Sequence, residues 1–554
     1  MADRPLQIVW FKRDLRVYDH GPLLDAAAEG PVVGLYMLEP DVLGAPESHP
    51  RHWEFVLASL RELRGNLRRL GSDLWVRQGE AAGVMTRLVL GLRDRGSPVA
   101  AVRSHEETGL DLTYRRDLRM KRVLCGLGVP WVETPQFGVV RGLRDRDGWA
   151  GRWAERMRGG PRPAPDRLPS LPEGLRPQDG VAGEIPSLEV LAGLIPGEPS
   201  GRPGQRGGEA EAHATLESFL GVGEQAPRGA NYRADMAAPI PAAEGCSRLS
   251  PHLAYGTISL RCVHHATLAA RTRAEQRRRA RDPGLDPRWL PSIRSFEKRL
   301  RWHCHFIQKL ESEPRLEFRS FNPAYDRLRL QEEEWGPSEQ RRFDAWRAGR
   351  TGHPMIDASM RALEATGWIN FRMRAMLVSF AAYHLWLDWR PISRELARRF
   401  TDFEPGIHIS QVQMQSGVTG INRLRMYSPA KQLVDNDPDG AFVRRWLPEL
   451  REVPTVWLPH PWKMPVSEQD RTGCRIDTDY PGPIVDHAVA VRTARARIAE
   501  VRGSAEERRL ARRVYERHGS RRGSPASPGS FRERRPAREG SSSESGDAQI
   551  GLGL

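Results

Sequence analysis

Short apolar runs alternate with amphipathic helical patterns through the first quarter of the chain, and this alternation constrains the fold more than any other feature. The runs occupy residues 8–11, 32–37, 74–76, 99–102 and 129–132. Strands that alternate with helices are typical of a parallel, doubly wound sheet. We therefore predict an α/β domain over residues 1–135. No GxGxxG pattern follows the first run, so we predict no dinucleotide site of that kind here.

The rest of the 554-residue chain divides into a linker, a helical region and a tail. Residues 136–209 are rich in proline and glycine, which is typical of a long connector. Helical periodicity dominates residues 210–502 and predicts a second, mostly α-helical domain. Residues 503–554 form a basic tail, and its Ser, Gly, Arg and Pro content from about residue 519 onwards predicts disorder.

Charge and cysteine usage indicate the partners and the compartment. The net charge of +15 favours an anionic partner such as DNA. No stretch approaches the roughly 18 uninterrupted apolar residues of a membrane helix, and we find no export signal. The five cysteines are scattered without a CxxC pair, which indicates a reducing compartment. We predict a cytoplasmic protein. Residues 302–305 are Trp-His-Cys-His, but helix neighbours point about 100° apart, so we predict no metal site.

Six motifs follow one another in the order and at the spacing of a known family. They are WFKRDLR at 10–16, EGCSRLSP at 244–251, TGHPMIDA at 351–358, TGW at 366–368, DWR at 388–390 and RRWLPEL at 444–450. Together they resemble the cryptochrome/DNA photolyase family over residues 6–470. The resemblance implies an N-terminal antenna domain, a helical domain that binds FAD, and electron transfer from or to the flavin driven by blue light.

The second motif has the chemistry that a diphosphate requires. Ser247, Arg248 and Ser250 offer hydroxyls, a cation and backbone N–H groups at a predicted helix start. Ser250 is also a good helix cap, and the two roles are compatible. The resemblance implies a larger set of FAD contacts, which adds Tyr232, Cys246, Leu249, Phe296, His303, Trp368, Phe371, Arg374, Asp402, Glu404 and His408.

Four of these residues have a more specific role by resemblance. Arg374 and Asp402 match an ion pair beside the isoalloxazine, and Glu404 replaces an aspartate that accepts the flavin N3–H. His408 falls at the position that faces flavin N5, where relatives commonly carry Asn, Asp or Cys. An imidazole has an unperturbed pKa near 6.5. We hypothesise that His408 donates a hydrogen bond or a proton to N5 and tunes which flavin redox state accumulates in light.

The family relays electrons to the flavin through spaced tryptophans, and this chain matches the relay only in part. Trp389 matches the middle member, and Trp335 matches the outer one if one residue is inserted. The inner position is Val412. Either another aromatic residue such as Tyr383 or Trp386 replaces it, or photoreduction is slow.

The pocket that holds a pyrimidine dimer in the family's repair enzymes has changed in this sequence. Trp302 is retained, whereas Arg299, Phe371, Ala375 and Met414 occupy the other four positions. We expect Arg299 at the pocket mouth, where a guanidinium can stack on a base or contact phosphate. Three hypotheses follow: an atypical deoxyribodipyrimidine photo-lyase that binds DNA, a cryptochrome-like photoreceptor with a signalling partner, and a light-independent FAD- or DNA-binding module. The resemblance also allows a second antenna chromophore of unassigned identity in the α/β domain.

Overall fold

The computed structural model describes residues 5–199, 204–222 and 226–519. Its first domain is built on a five-stranded parallel sheet of strand order β3-β2-β1-β4-β5. The strands are β1 (Leu6–Phe11), β2 (Val32–Leu38), β3 (Leu74–Gln78), β4 (Val99–His105) and β5 (Trp131–Thr134). All five apolar runs thus belong to strands, and the predicted α/β fold class is confirmed. β1 and β2 are buried along their whole length, because helices cover both faces of the sheet.

The described helices fall into three groups along the chain. The α/β domain contains α1 (Gly21–Glu29), α2 (Pro40–Leu43), α3 (Pro50–Arg69), α4 (Ala81–Asp94) and α5 (Asp111–Gly126). The predicted linker contains α6 (Trp149–Arg158) and α7 (Leu188–Leu191). The remaining helices are α8 (Glu209–Leu220), α9 (Tyr232–Asp235), α10 (Pro239–Gly245), α11 (Ser250–Ala254), α12 (Leu260–Arg279), α13 (Trp289–Ser312), α14 (Pro337–Arg347), α15 (Pro354–Thr366), α16 (Phe371–Ser379), α17 (Trp389–Arg399), α18 (Pro405–Gln415), α19 (Pro429–Asn436), α20 (Ala441–Trp446), α21 (Val466–Thr472), α22 (His487–Val501) and α23 (Ala505–His518).

Two close approaches fix the helices that surround the main cavity. A Cβ on Gly406 would lie 2.6 Å from the Ile307 Cα, so the start of α18 packs directly on the backbone of α13. Gly367 has a φ of +70° and ends α15, and a Cβ there would lie 2.2 Å from the Thr401 Oγ1. Both positions therefore require glycine, and they set where Trp368 and the α18 side chains face.

Arg51 of α3 joins the two domains. Its guanidinium donates hydrogen bonds to the carbonyls of Leu363 (3.1 Å), Glu364 (2.8 Å) and Arg399 (2.9 Å). These carbonyls lie in the last turns of α15 and α17, where helix carbonyls commonly lack an intrahelical partner and the helix dipole favours a cation. The Leu363 carbonyl also accepts from the Gly367 N–H, which caps α15. The Arg51 side chain is 4% exposed, so these bonds form in a nearly dry interface.

Two segments differ from the predicted organisation. Within the predicted linker, α6 buries Trp149, Trp153 and Met157 at four-residue spacing, which anchors it to the helical domain. Within the predicted tail, residues 505–518 form α23, whose Glu507 carboxylate accepts a hydrogen bond from the Tyr325 hydroxyl at 3.1 Å. Composition did not predict either helix, because arginine, glycine and serine are abundant around their few apolar positions. The predicted disorder from residue 520 onwards lies outside the described residues.

The described residues include no helix with the length and apolar character needed to cross a membrane.

Candidate functional site

A cavity of about 1010 Å³, counted with the open space at its mouth, lies within the helical domain between α16, α18 and the segment that precedes α18. Its lining is mostly apolar with a few polar groups that converge on it, as in small-molecule and cofactor sites. Many of the residues chosen from sequence line it: Cys246, Ser250, His303, Trp368, Phe371, Arg374, Ala375, Asp402, Glu404, His408 and Val412.

Arg374 and Asp402 form a two-pronged ion pair on the wall of this cavity. The guanidinium Nη1 and Nη2 lie 2.9 Å from Oδ1 and Oδ2 of the carboxylate, and the Arg374 Nε donates to the Ile369 carbonyl. Burial alone would raise the pKa of the Asp402 carboxyl, but the charge and hydrogen bonds of Arg374 hold it below its ordinary value. The pair is therefore ionised at neutral pH and rigidly placed.

Glu404 presents a free oxygen to the cavity. Its Oε2 lies 3.4 Å from the Arg13 Nη2, whereas its buried Oε1 has no hydrogen-bond partner in the described residues. Burial raises the pKa of Glu404, and the nearby Arg13 charge offsets part of that rise. An unsatisfied carboxylate oxygen inside a cavity is costly unless a ligand donates to it. Glu404 thus fits a ligand with an N–H group.

His408 is neutral, and its hydrogen bond sets its tautomer. Its Nε2 lies 2.8 Å from the Ser393 carbonyl oxygen, which can only accept, so Nε2 carries the proton. Burial lowers the pKa of His408 to about 4. The remaining nitrogen, Nδ1, is therefore an acceptor. The donor role hypothesised for His408 is contradicted by this geometry, because the Ser393 carbonyl takes the ring N–H.

Arg248 supplies an unpaired cation beside the cavity. Its guanidinium carbon lies 3.9 Å from the centre of the Trp368 ring, and it has no ion-pair partner among the described residues. Burial lowers the pKa of Arg248 to about 10, which still leaves it charged at neutral pH. Its neighbours in the motif differ: Cys246 and Ser250 line the cavity, whereas Ser247 and Leu249 are fully buried beneath it.

A second cavity of about 950 Å³ lies between the domains, at the carboxyl ends of β1, β2 and β4. Ligands of parallel sheets bind at this edge. Four buried charged side chains line it, Lys12, Glu39, Glu107 and Arg116. The two cavities share one wall, the ring of Phe403. His52, which lines the second cavity, stacks on the Phe403 ring with 6.4 Å between the ring centres. His408, which lines the first cavity, meets the same ring edge-on with 5.3 Å between the ring centres.

Comparison with known proteins assigns this chain to a family. The family model for the FAD binding domain of DNA photolyase matches residues 296–500, and the model for DNA photolyase matches residues 7–136. A cryptochrome DASH from Gloeobacter violaceus is 33% identical over 499 residues, which cover 86% of this chain and 93% of that protein. The chain belongs to the cryptochrome/DNA photolyase family.

Further relatives of this cryptochrome/photolyase protein carry repair names. A deoxyribodipyrimidine photo-lyase from Streptomyces griseus is 30% identical over 514 residues, covering 90% of this chain and 99% of that protein. The crystal structure of a bacterial class III photolyase from Agrobacterium tumefaciens has a TM-score of 0.74 and 25% identity, covering 90% of this chain and 98% of that one. The predicted family and the FAD-binding domain are confirmed.

The cavity residues of this family member fit an FAD. The free Glu404 oxygen suits a ring N–H, and the unpaired Arg248 guanidinium suits a diphosphate. The fixed Arg374–Asp402 pair supplies a polar wall of known charge. Individual contacts to the cofactor remain predictions from the resemblance.

Two predicted FAD contacts and one predicted lesion contact lie together behind the cavity. Tyr232 and Phe296 are fully buried and meet edge-to-face at 5.8 Å. The Arg299 guanidinium lies over Tyr232, and its Nη2 lies 2.8 Å from the sulfur of Met236, a residue of the cavity wall. Arg299 is 6% exposed and so does not stand at the mouth, contrary to prediction. Its long side chain folds back into the core.

Of the five residues at the positions of the lesion pocket, Phe371 and Ala375 line the cavity. Trp302 lies on another face of α13, with His305 and Phe306 as its ring neighbours, and Met414 is also outside the lining. The structure instead brings Asn370, Gln411 and Gln415 into the wall.

The sequence prediction missed these amides. Both amide atoms of Gln411 and Gln415 are buried without a hydrogen-bond partner, as is the Asn370 Oδ1. Gln411 and Gln415 follow His408 by three and seven residues on α18, so they share its helix face. That spacing was the signal that could have found them.

The aromatic residues of the predicted relay lie away from the cavity lining. Trp389 is 1% exposed, and its Nε1 donates to the Ser320 hydroxyl at 3.2 Å. Trp335 is half-buried and packs on Phe343 at 5.3 Å. Of the two alternatives, Tyr383 is buried with an unpartnered hydroxyl.

Trp386, the second alternative, adopts a left-handed φ of +56° after a π-helical turn, Phe380–His384. Its ring lies between the guanidinium groups of Arg329 (4.7 Å) and Arg497 (5.0 Å). Arg329 also lies 5.6 Å from the centre of the Tyr383 ring, so both alternatives have a cation beside them and both remain predictions.

Asp14, His20 and His105 form the one group of described residues whose ligand atoms lie close enough for a metal ion. The His20 Nδ1 accepts from the Leu23 N–H at 3.1 Å, so its Nε2 carries the proton that faces the Asp14 Oδ2 at 2.9 Å. A metal bound at that Nε2 would require an imidazolate, because neither ring nitrogen would then carry a proton. The arrangement therefore favours a hydrogen-bonded network that caps α1.

Proposed function

We propose that this protein is an atypical deoxyribodipyrimidine photo-lyase, which uses light absorbed by FAD to repair ultraviolet lesions in DNA. One observation carries the proposal: the cavity lined by Asp402, Glu404 and His408 is also lined by two buried carboxamides without a hydrogen-bond partner in the described residues, those of Gln411 and Gln415. When bound and reduced, the flavin supplies the electron that opens a cyclobutane dimer.

Three lining residues, Gln411, Gln415 and Phe371, have the chemistry that recognises a base flipped out of the DNA stack. The Gln411 and Gln415 carboxamides are buried and unpaired, and such a group forms paired hydrogen bonds to a base edge. Phe371 offers a ring for stacking. Flipping a base costs a few kcal/mol, which these contacts would offset. The net charge of +15 supports binding to the phosphate backbone.

Repair is tested by irradiating the dark-purified, reduced protein with an oligonucleotide that contains one thymine dimer. We expect restored thymines in blue light and none in the dark. The double variant Gln411→Leu/Gln415→Leu should bind the lesion about tenfold more weakly or worse, since each lost hydrogen bond is worth about 1 kcal/mol. Met414→Ala, on the same helix but outside the cavity, is the matched control. Unrepaired dimers with a photoreducing flavin would contradict the proposal.

The alternative is a cryptochrome-like photoreceptor, and one observation favours it. Arg299 and Trp302, two of the residues at the positions of the repair pocket, do not line the cavity. In that case the flavin photoreduces, the protein binds damaged and intact DNA equally, and a signalling partner reads the light-driven change. A flavin that does not respond to light would instead support the light-independent module.

We further infer that the second cavity holds the second chromophore. Aromatic side chains from both domains line it, among them Trp10, Tyr36, Trp53 and Tyr255. Denaturing the purified protein and separating the released pigments would test this inference. FAD as the only pigment, at one molecule per chain, would contradict it.

A further inference from the structure

The first motif of the sequence, at residues 10–16, sends one side chain into the other domain. Arg13 follows β1 directly, yet its Nε donates to the Ala254 carbonyl at 2.8 Å and its Nη2 to the Phe403 carbonyl at 2.7 Å. Its own carbonyl accepts from the Gln136 side chain at 2.7 Å. The guanidinium is therefore held from several directions at one place, 3.4 Å from the Glu404 Oε2.

Arg13 is the cation that acts on Glu404: its charge opposes the rise in the pKa of Glu404 that burial causes, and a hydrogen bond from the Gly406 backbone N–H acts in the same direction. The carboxylate is 8% exposed. The other titratable groups that act on or face it are Glu107 after β4, Tyr255 after α11, and His303 and Cys304 of α13, together with Asp402, Arg374 and His408 beside it on the cavity wall.

None of these groups replaces Arg13 as a source of positive charge. Glu107 is an anion and opposes ionisation, His303 and His408 are neutral near pH 7, and Arg374 is engaged by Asp402. A buried carboxylate that loses its cation takes up a proton.

We propose that Arg13 is a positioning residue of the flavin site: from the α/β domain, it holds Glu404 ionised and oriented so that the free Oε1 accepts the N3–H of bound flavin. The proposal rests on the flavin-site role predicted for Glu404 and goes beyond the proposed function. It does not depend on repair, so its test uses no damaged DNA.

The proposal gives the first motif a function in cofactor binding. A charge-assisted hydrogen bond is about twice as strong as a neutral one. Arg13 would therefore strengthen FAD binding without touching the cofactor. Because Arg13 also lines the second cavity, its position is set by the interface between the domains.

The decisive variant is Arg13→Gln, which removes the charge and keeps a hydrogen-bonding side chain. Because burial raises the pKa of Glu311 and Glu317 to about 7, the readout is the infrared difference between Arg13→Gln and the wild type, both loaded with flavin at pH 7. This difference spectrum should show the additional carbonyl band of one protonated carboxyl. The band should disappear when Glu404→Gln is added. The band should also be absent from Arg13→Lys, because lysine restores a cation at this position.

Flavin affinity gives a second, independent readout. We expect Arg13→Gln to bind FAD about tenfold more weakly at pH 7, measured by the fluorescence of released flavin. Affinity should recover at higher pH as Glu404 ionises, and the loss should vanish in the Glu404→Gln background. Arg361→Gln is the control, because Arg361 forms a similarly buried pair with Glu449 at 2.7 Å away from the cavity.

Two results would overturn the proposal. The first is Arg13→Gln without the carboxyl band and with wild-type affinity. The second is an affinity loss that is equal at every pH and persists in the Glu404→Gln background, since that pattern marks a general structural defect. If Arg13→Gln does not fold, Arg13→Lys decides: a protonated carboxyl in that variant would also refute the role of the charge.

Discussion

Replacing Arg51 with methionine should uncouple the two domains at a measurable cost. The substitution keeps the apolar stem but leaves the Leu363, Glu364 and Arg399 carbonyls without the donors that now lie 2.8–3.1 Å away. A buried acceptor that loses its donor typically costs about 1–3 kcal/mol. Two carbonyls, those of Glu364 and Arg399, lose theirs, whereas the Leu363 carbonyl keeps a bond from the Gly367 N–H. The ion pair of Arg51 with the half-exposed Glu364, at 3.6 Å, adds little. We therefore expect Arg51→Met to lower the free energy of unfolding by about 4 kcal/mol.

Urea unfolding followed by fluorescence and circular dichroism would measure this loss as a shift of the midpoint. Arg68→Met is the control on the same helix, because Arg68 pairs with Asp73 inside the α/β domain and its side chain is 47% exposed. That variant should lose less than about 1 kcal/mol. If Arg51→Met also loses less than about 1 kcal/mol, these carbonyls are satisfied without Arg51, and the argument from helix ends is wrong.

Three further predictions concern light and pH. Val412→Trp should speed flavin photoreduction at least about tenfold, measured by absorbance under steady blue light; an unchanged rate would show that electrons reach the flavin by a route that avoids this position. His408→Asn should change the yield of photoreduced flavin, and an identical yield would remove His408 from redox tuning. Acidification from pH 7 to pH 5 should destabilise the protein, because burial lowers the pKa of His303, His353 and His408 to about 4. In the unfolded chain the histidine pKa values lie near 6.5, so the unfolded state binds more protons than the folded state between pH 6.5 and pH 4. The stability contributed by these histidines is therefore complete above pH 6.5 and falls towards pH 4, by up to about 2 kcal/mol per histidine at pH 5. Thermal unfolding midpoints that do not fall between pH 7 and pH 5 would contradict this prediction.

The sequence predicted the parts of the fold that depend on local pattern. Apolar runs of strand length and helical spacing between them determine the parallel sheet, and motif order over residues 6–470 determines the family. Two lining residues of α16 follow from the same reasoning, because helical spacing places Phe371 and Ala375 on one face.

The rest depended on contacts between distant positions, which spacing does not encode. Arg299 was expected at the cavity mouth, but a long side chain can reach several directions from one helix position, and this one lies on Tyr232. The tautomer of His408 depends on a carbonyl of another helix, and the contact between Arg13 and Glu404 joins residues nearly 400 positions apart. The helix α23 was missed because arginine-rich composition outweighed its few buried positions.

Phe403 makes the two cavities inseparable for protein engineering. Phe403 lines the cavity with the FAD residues and also the cavity between the domains. Any substitution that enlarges one site by trimming this ring also enlarges the other, and any bulkier ring narrows both. Selection for a new pigment in one cavity therefore acts on the other at the same time, and a graft of either domain from a relative needs a matching partner for this single side chain.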